Sequence, residues 1–140
     1  MIPKIIHYCW LGDSEFPELV KKCIQSWKKK MPDWEFILWD KNCLKDLNSD
    51  WVNEAYSTKK YAFAADYIRL YAVNKFGGFY LDSDVEVLKN FAPLLDSPYI
   101  FALENEIGDI EAATFGSEPN NPYVQKCLSY YEAVSYTHLR

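Results

Sequence analysis

The sequence predicts an α/β domain whose mainly parallel sheet is flanked by helices. Short apolar runs of strand length alternate with longer amphipathic stretches of helical period along the chain. A glycine pair, Gly77-Gly78, marks the change from the longest helical stretch to a short apolar strand. Hydrophobic residues make up 49% and aromatic residues 17% of the 140-residue chain, which is enough for one packed core and argues against disorder.

Each element follows from a local pattern. Residues 4–10 read as a buried strand between Pro3 and Gly12-Asp13, and His7 within it is expected to be a core histidine with satisfied ring nitrogens. Residues 17–31 read as an amphipathic helix. Leu19, Val20, Cys23, Ile24 and Trp27 fall on one stripe, Ser14 is the candidate cap and Pro32 stops the pattern. The Lys28-Lys29-Lys30 run complements the dipole at that helix end. Residues 34–39 alternate aromatic and aliphatic side chains as a second strand ending at Asp40, and 42–54 form a short helix or turn region.

The helix from about residue 59 to Phe76 takes Ser57 or Thr58 as its cap and ends at the glycine pair. Strands are expected at 79–81, 86–88, 99–104 and 112–115, with a one-turn helix at 93–95. Residues 121–133 read as a final helix with Pro122 in its first turn. One domain over 1–133 is expected; 134–140 fit no element and look like a truncation end or a foreign tail, leaving the sheet incomplete at the C-terminus.

Charge and cysteine usage exclude several functions. A formal net charge of −5 argues against a nucleic-acid partner, which requires a basic face. Cys9, Cys23, Cys43 and Cys127 show no Cys-x-x-Cys spacing, and only His7 and His138 could join them, so a structural zinc site is not expected. Free thiols in apolar patterns suit a reducing compartment. No apolar run approaches the roughly 20 residues that span a bilayer. No signal peptide is read before the first strand, so the expected location is cytoplasmic.

The residues that carry chemistry cluster between 61 and 87. Asp66 and Arg69 share a face of the long helix with Ala62, Ala65 and Val73, and small neighbours permit close approach. Such a pair is either a structural ion pair or part of a site. Asp82-Ser83-Asp84 follows the strand after the glycine pair. Ten aspartates in 140 residues give about 0.7 chance Asp-x-Asp tripeptides, so the tripeptide gains meaning only from its context. That context is the C-terminal edge of a strand, where open α/β sheets bind ligands. Two carboxylates there can share one hard divalent cation, or else form a solvated turn. Trp10, at the end of the first strand, can stack on a flat base or can be a rim tryptophan.

These pieces, in this order, resemble the glycosyltransferase family whose sugar-binding region contains the Asp-x-Asp motif. That family includes bacterial capsular and lipopolysaccharide sugar transferases, eukaryotic mannosyl- and galactosyltransferases and, distantly, the glucosylating clostridial toxins. The matching pieces are Ile2-Pro3-Lys4-Ile5-Ile6-His7 with Trp10 and Gly12, Ala65-Asp66 with Arg69, and Gly77 through Val85, with weaker likeness at Phe115-Gly116-Ser117. The resemblance implies a GT-A (Rossmann-like) fold, a UDP- or GDP-sugar donor, Mn2+ or Mg2+, and retention of anomeric configuration. It implies Asp84 as direct metal ligand, and Asp82 on donor hydroxyls with a metal contact through water. It also implies Asp66 and Arg69 on the donor sugar, Trp10 on the base and Tyr80 in the donor pocket. The implied acceptor is a saccharide or lipid-linked saccharide, as in bacterial surface polysaccharide synthesis, and a longer protein could associate peripherally with a membrane. Family members usually continue for roughly another hundred residues, against a one-domain prior for this chain, so turnover by these 140 residues alone is not implied.

Two other readings compete. An apolar strand followed by Asp82-Ser83-Asp84-Val85 resembles the haloacid-dehalogenase nucleophile motif, with Asp82 phosphorylated and Asp84 as acid, although that motif normally opens its domain. A non-catalytic fragment that binds a sugar nucleotide is the third.

Overall fold

A computed structural model describes residues 1–133; the tail at 134–140 lies outside the described residues. Five strands form one sheet in the order β2-β1-β3-β5-β4, with β1 at Ile5–Cys9, β2 at Glu35–Trp39, β3 at Gly78–Leu81, β4 at Tyr99–Leu103 and β5 at Ile110–Ser117. The α/β class stands, but the sheet is parallel in one half only. β1 runs parallel to β2 and β3, whereas β5 is antiparallel to both β3 and β4. Residues 110–117 return as a hairpin partner of β4 with no intervening helix, and a hairpin connection forces antiparallel pairing.

Helices cover both faces. α1 (Glu18–Lys30) buries Val20, Ile24 and Trp27 against Ile6, Tyr8, Phe79 and Leu81 of the sheet. On the opposite face lie α3 (Asp50–Ser57), α4 (Tyr61–Phe76) and α5 (Pro122–Ala133), following the four-residue α2 at Leu44–Leu47. Their core centres on Trp51, Val52, Ala64, Tyr67, Ile68 and Leu128. Strand alternation therefore assigns Phe79 and Leu81 to the α1 side and Tyr80 to the α4 side, where it packs with Val73 and Phe115.

Local details differ from the sequence expectation in four places. Residues 86–88 form no strand: Val87 N–H donates to Ser26 Oγ at 2.9 Å and Trp27 Nε1 donates to Val85 O at 2.7 Å, so the segment is anchored to α1 side chains instead of a ladder. α1 begins behind Pro17 without a side-chain cap, and Ser14 does not serve as one. Ser57 and Thr58 close α3 through hydroxyl donation to Glu54 O, while α4 starts after Lys60 with no side-chain cap. Asn48 at φ 48° separates α2 from α3, and Ser49 Oγ caps α3 by accepting Val52 N–H.

The glycine pair is required by geometry. Gly77 and Gly78 have φ of 69° and 101°, and a Cβ on Gly78 would lie 2.6 Å from Ile5 O. Side chains are excluded there because β3 must approach β1 closely.

His7 is fully buried. Trp39 Nε1–H donates to His7 Nδ1 at 3.1 Å, so the proton sits on Nε2, which donates to Gly77 O at 2.9 Å. Burial pushes its pKa down to about 4, against a smaller upward pull from the Gly77 carbonyl. The unfolded chain binds this proton from about pH 6.5 and the folded chain only near 4, so stability falls as pH drops through that window, by about 3 kcal/mol at most. Denaturant titrations of wild type and His7→Gln should differ in slope between pH 4 and 6.5. A His7 imidazole, assigned by comparison with His7→Gln, that titrates near 6.5 by NMR in the folded protein would contradict the assignment.

Candidate active site

The site forms where β1 and β3 end side by side. Parallel pairing of Ile6 with Phe79 and His7 with Tyr80 brings the segments after both strands to one sheet edge. β1 leads into Trp10, Leu11 and Gly12, and β3 into Asp82, Ser83 and Asp84. α4 presents Ala62, Ala65 and Arg69, spaced by three and four residues, as the third wall. These segments enclose a cleft of about 650 Å³ that Trp10, Arg69, Tyr80, Asp82 and Asp84 all line. The two alanines keep the helix wall low, leaving room beside the carboxylates.

Asp66 stands apart from that group. It borders a second cleft, of about 570 Å³, on the other side of Arg69. Arg69 lines both clefts and is the wall between them. Its Nε donates to Ala65 O at 3.2 Å, Nη1 to Ala112 O at 2.8 Å and Nη2 to Asp66 Oδ1 at 3.0 Å. Nη1 also lies 4.0 Å from Asp82 Oδ1, and the guanidinium sits 5.1 Å from the centre of the Tyr80 ring. Only 12% of the Arg69 side chain is exposed, against 36% for Asp66 and 35% for Asp82. The cation is thus fixed by three elements while both carboxylates remain open to a ligand.

Protonation follows from this asymmetry. Burial raises the pKa of Asp66, with Arg69 pulling it down and Asp82 adding to the rise. Burial likewise raises Asp82; Arg69 and the Tyr80 hydroxyl oppose it, while Asp84 and Glu111 add to it. One guanidinium faces more negative charge than it neutralises, which favours a further cation or a hydrogen-bond donor. Cys9 also lines the cleft, but burial pushes its thiol up to about 12, so it is not a thiolate nucleophile at neutral pH.

Among the described residues no group of three or more His, Cys, Asp or Glu side chains is arranged to hold a metal. The donor chemistry of the Asp-x-Asp pair nonetheless fits a magnesium-like ion. Such ions are commonly held by one or two carboxylates together with phosphate oxygens and water. Asp84 is exposed and Asp82 half-exposed, so both can reach an ion carried in with a diphosphate.

Trp10 is held in place before any ligand arrives. Its indole N–H donates to Ser14 O at 3.0 Å and its ring meets Phe16 edge-on at 5.4 Å. It also borders a groove with Asp13, Asp40 and Asn42, and together with Gly12 and Ser14 it lines both that groove and the carboxylate cleft. Two groups at the site escaped the sequence reading. Ala112 contributes only its carbonyl, for which no side-chain signal exists. Glu111 is brought beside Asp82 and Arg69 by β5, and its Oε1 accepts Ala113 N–H at 2.7 Å.

Comparison with known proteins agrees with this geometry. Residues 17–101 match the family described as glycosyltransferase sugar-binding region containing DXD motif. The chain is 30% identical to mannosyl phosphorylinositol ceramide synthase SUR1 of Saccharomyces cerevisiae, over 91% of this chain and 34% of that protein. It is 31% identical to the uncharacterized glycosyltransferase L373 of Acanthamoeba polyphaga mimivirus, over 87% of this chain and 52% of that protein. The chain therefore spans between about a third and about half the length of these relatives. In fold it is similar to the PaToxG glycosyltransferase, with a TM-score of 0.75 at 21% identity, covering 91% of this chain and 59% of that one.

Proposed function

The chain belongs to the family of glycosyltransferases whose sugar-binding region contains the Asp-x-Asp motif, and from that membership we propose that it binds a nucleotide-sugar donor for metal-assisted glycosyl transfer. The observation that carries this reading is the convergence of Trp10, Arg69, Tyr80, Asp82 and Asp84 on one cleft at the ends of β1 and β3. Asp84 and Asp82 would hold Mn2+ or Mg2+ against the donor diphosphate. When bound, the ion neutralises the leaving diphosphate as a Lewis acid.

The chain's own residues do the remaining work. Trp10 offers a ring, already fixed by Ser14, for the base to stack on. Arg69, immobilised by Ala65, Ala112 and Asp66, has little orientational freedom left to lose on binding and keeps positive charge beside the donor. The half-exposed carboxylate of Asp82 accepts from donor hydroxyls, and Asp66 supports the sugar side through Arg69. In transfer, the anomeric carbon–oxygen bond to the diphosphate breaks and a bond to the acceptor oxygen forms on the same face. The acceptor proton passes to the departing phosphate. With Cys9 protonated, no covalent thiolate step is invoked.

Residues 1–133 are proposed as the donor-binding domain of this machinery, in a cytoplasmic or membrane-peripheral setting. The acceptor is proposed to present a polyhydroxylated head. Surface saccharides, as the sequence suggests, and the inositol phosphoceramide head in the relatives' names share that chemistry. A haloacid-dehalogenase-like phosphatase is disfavoured because the cation facing Asp82 is an arginine already committed to Ala112 and Asp66.

Calorimetry tests the donor reading. Titration of UDP- and GDP-sugars with Mn2+ should give saturable binding accompanied by tryptophan quenching that is missing in Trp10→Phe, both abolished by EDTA. Binding that is indifferent to chelator would sink the metal assignment, and no binding with either nucleotide would sink the donor assignment. The anomeric configuration of any product, read by NMR, tests retention.

A further inference from the structure

Backbone hydrogen bonds hold the Asp-x-Asp segment at both ends, and the two anchors come from different elements. Upstream, Asp82 N–H donates to Ala113 O of β5 at 2.8 Å. Asp82 O accepts Val85 N–H at 3.0 Å, which closes a four-residue turn with Asp84 at its third position. Downstream no strand takes over. Trp27 Nε1–H donates to Val85 O at 2.7 Å. Ser26 Oγ accepts Val87 N–H at 2.9 Å while its own hydrogen goes to Cys23 O at 2.6 Å, so a single hydroxyl orientation serves both partners. The helix side of these bonds is rigid: Trp27 is fully buried, its ring edge-on to Tyr8 of β1 at 5.2 Å.

Asp84 itself is exposed, and its carboxylate makes no hydrogen bond among the described residues. Its place in the cleft is therefore set by its backbone, next to the carbonyl that Trp27 holds. A turn needed only as a surface connection could leave these groups to water. Here the N–H of a core tryptophan and the hydroxyl of a helix serine are both committed to residues 85–87. We propose that Trp27 and Ser26 are positioning residues for the cation site. Through Val85 O and Val87 N–H they fix the backbone that carries Asp84, so that the carboxylate faces the cleft before an ion arrives. Placing a ligand group in advance removes an ordering cost from binding. The inference rests on the metal-assisted donor reading. It goes beyond that reading by assigning the support of the ion to α1, 58 residues away in sequence from the carbonyl it holds.

Three variants test this. Trp27→Phe keeps an aromatic ring and removes the N–H. Ser26→Ala removes the bridge at a partly exposed position, and Ser26→Thr restores the hydroxyl. Hydrogen exchange of the ligand-free chain, read by mass spectrometry, should quicken about tenfold or more at residues 84–88 in Trp27→Phe and Ser26→Ala while α4 is unaffected. The Mn2+ concentration giving half-maximal UDP- or GDP-sugar binding should rise about five- to tenfold in both, the scale of one net hydrogen bond, and fall back in Ser26→Thr. A merely structural role would lower the urea midpoint and leave the Mn2+ requirement of the folded fraction unchanged, which overturns the proposal. Unchanged exchange at 84–88 in both variants overturns it too. Should Trp27→Phe fail to fold, Ser26→Ala decides alone. The two failures are distinguishable. A wild type without Mn2+-dependent nucleotide binding sinks the donor reading and this inference with it, whereas a binding wild type beside variants of unaltered Mn2+ requirement sinks the inference only.

Discussion

Asp84→Ala is expected to weaken Mn2+-dependent nucleotide-sugar binding by about 100-fold or more while leaving the fold intact. Asp84 is exposed and makes no side-chain hydrogen bond among the described residues, so its removal should change stability by no more than about 0.5 kcal/mol. The loss falls on the ion instead. A magnesium-like cation held by one or two carboxylates loses half or all of its protein ligands, and the diphosphate loses its counter-charge. Asp84→Asn, which keeps shape and removes charge, should behave nearly as badly. Calorimetry with and without Mn2+ checks both variants. Wild-type affinity in Asp84→Ala would show that the motif is a solvated turn.

Arg69→Met carries the second large effect, on stability and on the site together. The substitution strands Asp66 and the Ala112 carbonyl and removes the charge nearest Asp82. Losing charge-assisted hydrogen bonds at a side chain only 12% exposed should cost about 2–4 kcal/mol. Arg69→Lys should recover little, because an ammonium cannot serve Ala65, Ala112 and Asp66 from one planar fork. The sign of the pH dependence follows. Arg69 is what holds Asp66 and Asp82 down against burial, so without it both carboxyl pKa values rise further above their unfolded values. The folded variant then binds more protons than the unfolded chain, and its stability deficit should shrink as pH is lowered through the carboxylate range. Chemical denaturation of wild type and variant at pH 7 and pH 4.5 measures this. A pH-independent deficit would mean that Arg69 matters through packing and not through charge.

Both variants address groups that are legible in the sequence, for identifiable reasons. The Gly77-Gly78 stop, the helical spacing of Ala62, Ala65 and Arg69, and the strand leading into Asp82 are encoded within a few residues each. Local sterics and side-chain periodicity act over that range. The same range explains why β1, α1, β2 and α4 are found close to their expected bounds.

Long-range pairing decided the rest. Residues 86–88 have strand composition, yet Ser26 and Trp27 of α1 take their backbone groups, so no ladder forms. β5 lies antiparallel between β3 and β4, which no local pattern in 110–117 specifies. That insertion places Ala112 O on the Arg69 guanidinium and Glu111 near Asp82, in the lining of the cleft that Asp66 borders, turning a helix-surface ion pair into the partition between two clefts. The sequence determines which residue types stand at i, i+3 and i+4. Which distant backbone carbonyl completes a guanidinium's hydrogen bonds, and which side of it a carboxylate faces, depends on how strands dock. Only the packed sheet could therefore separate Asp66 from Asp82 and Asp84.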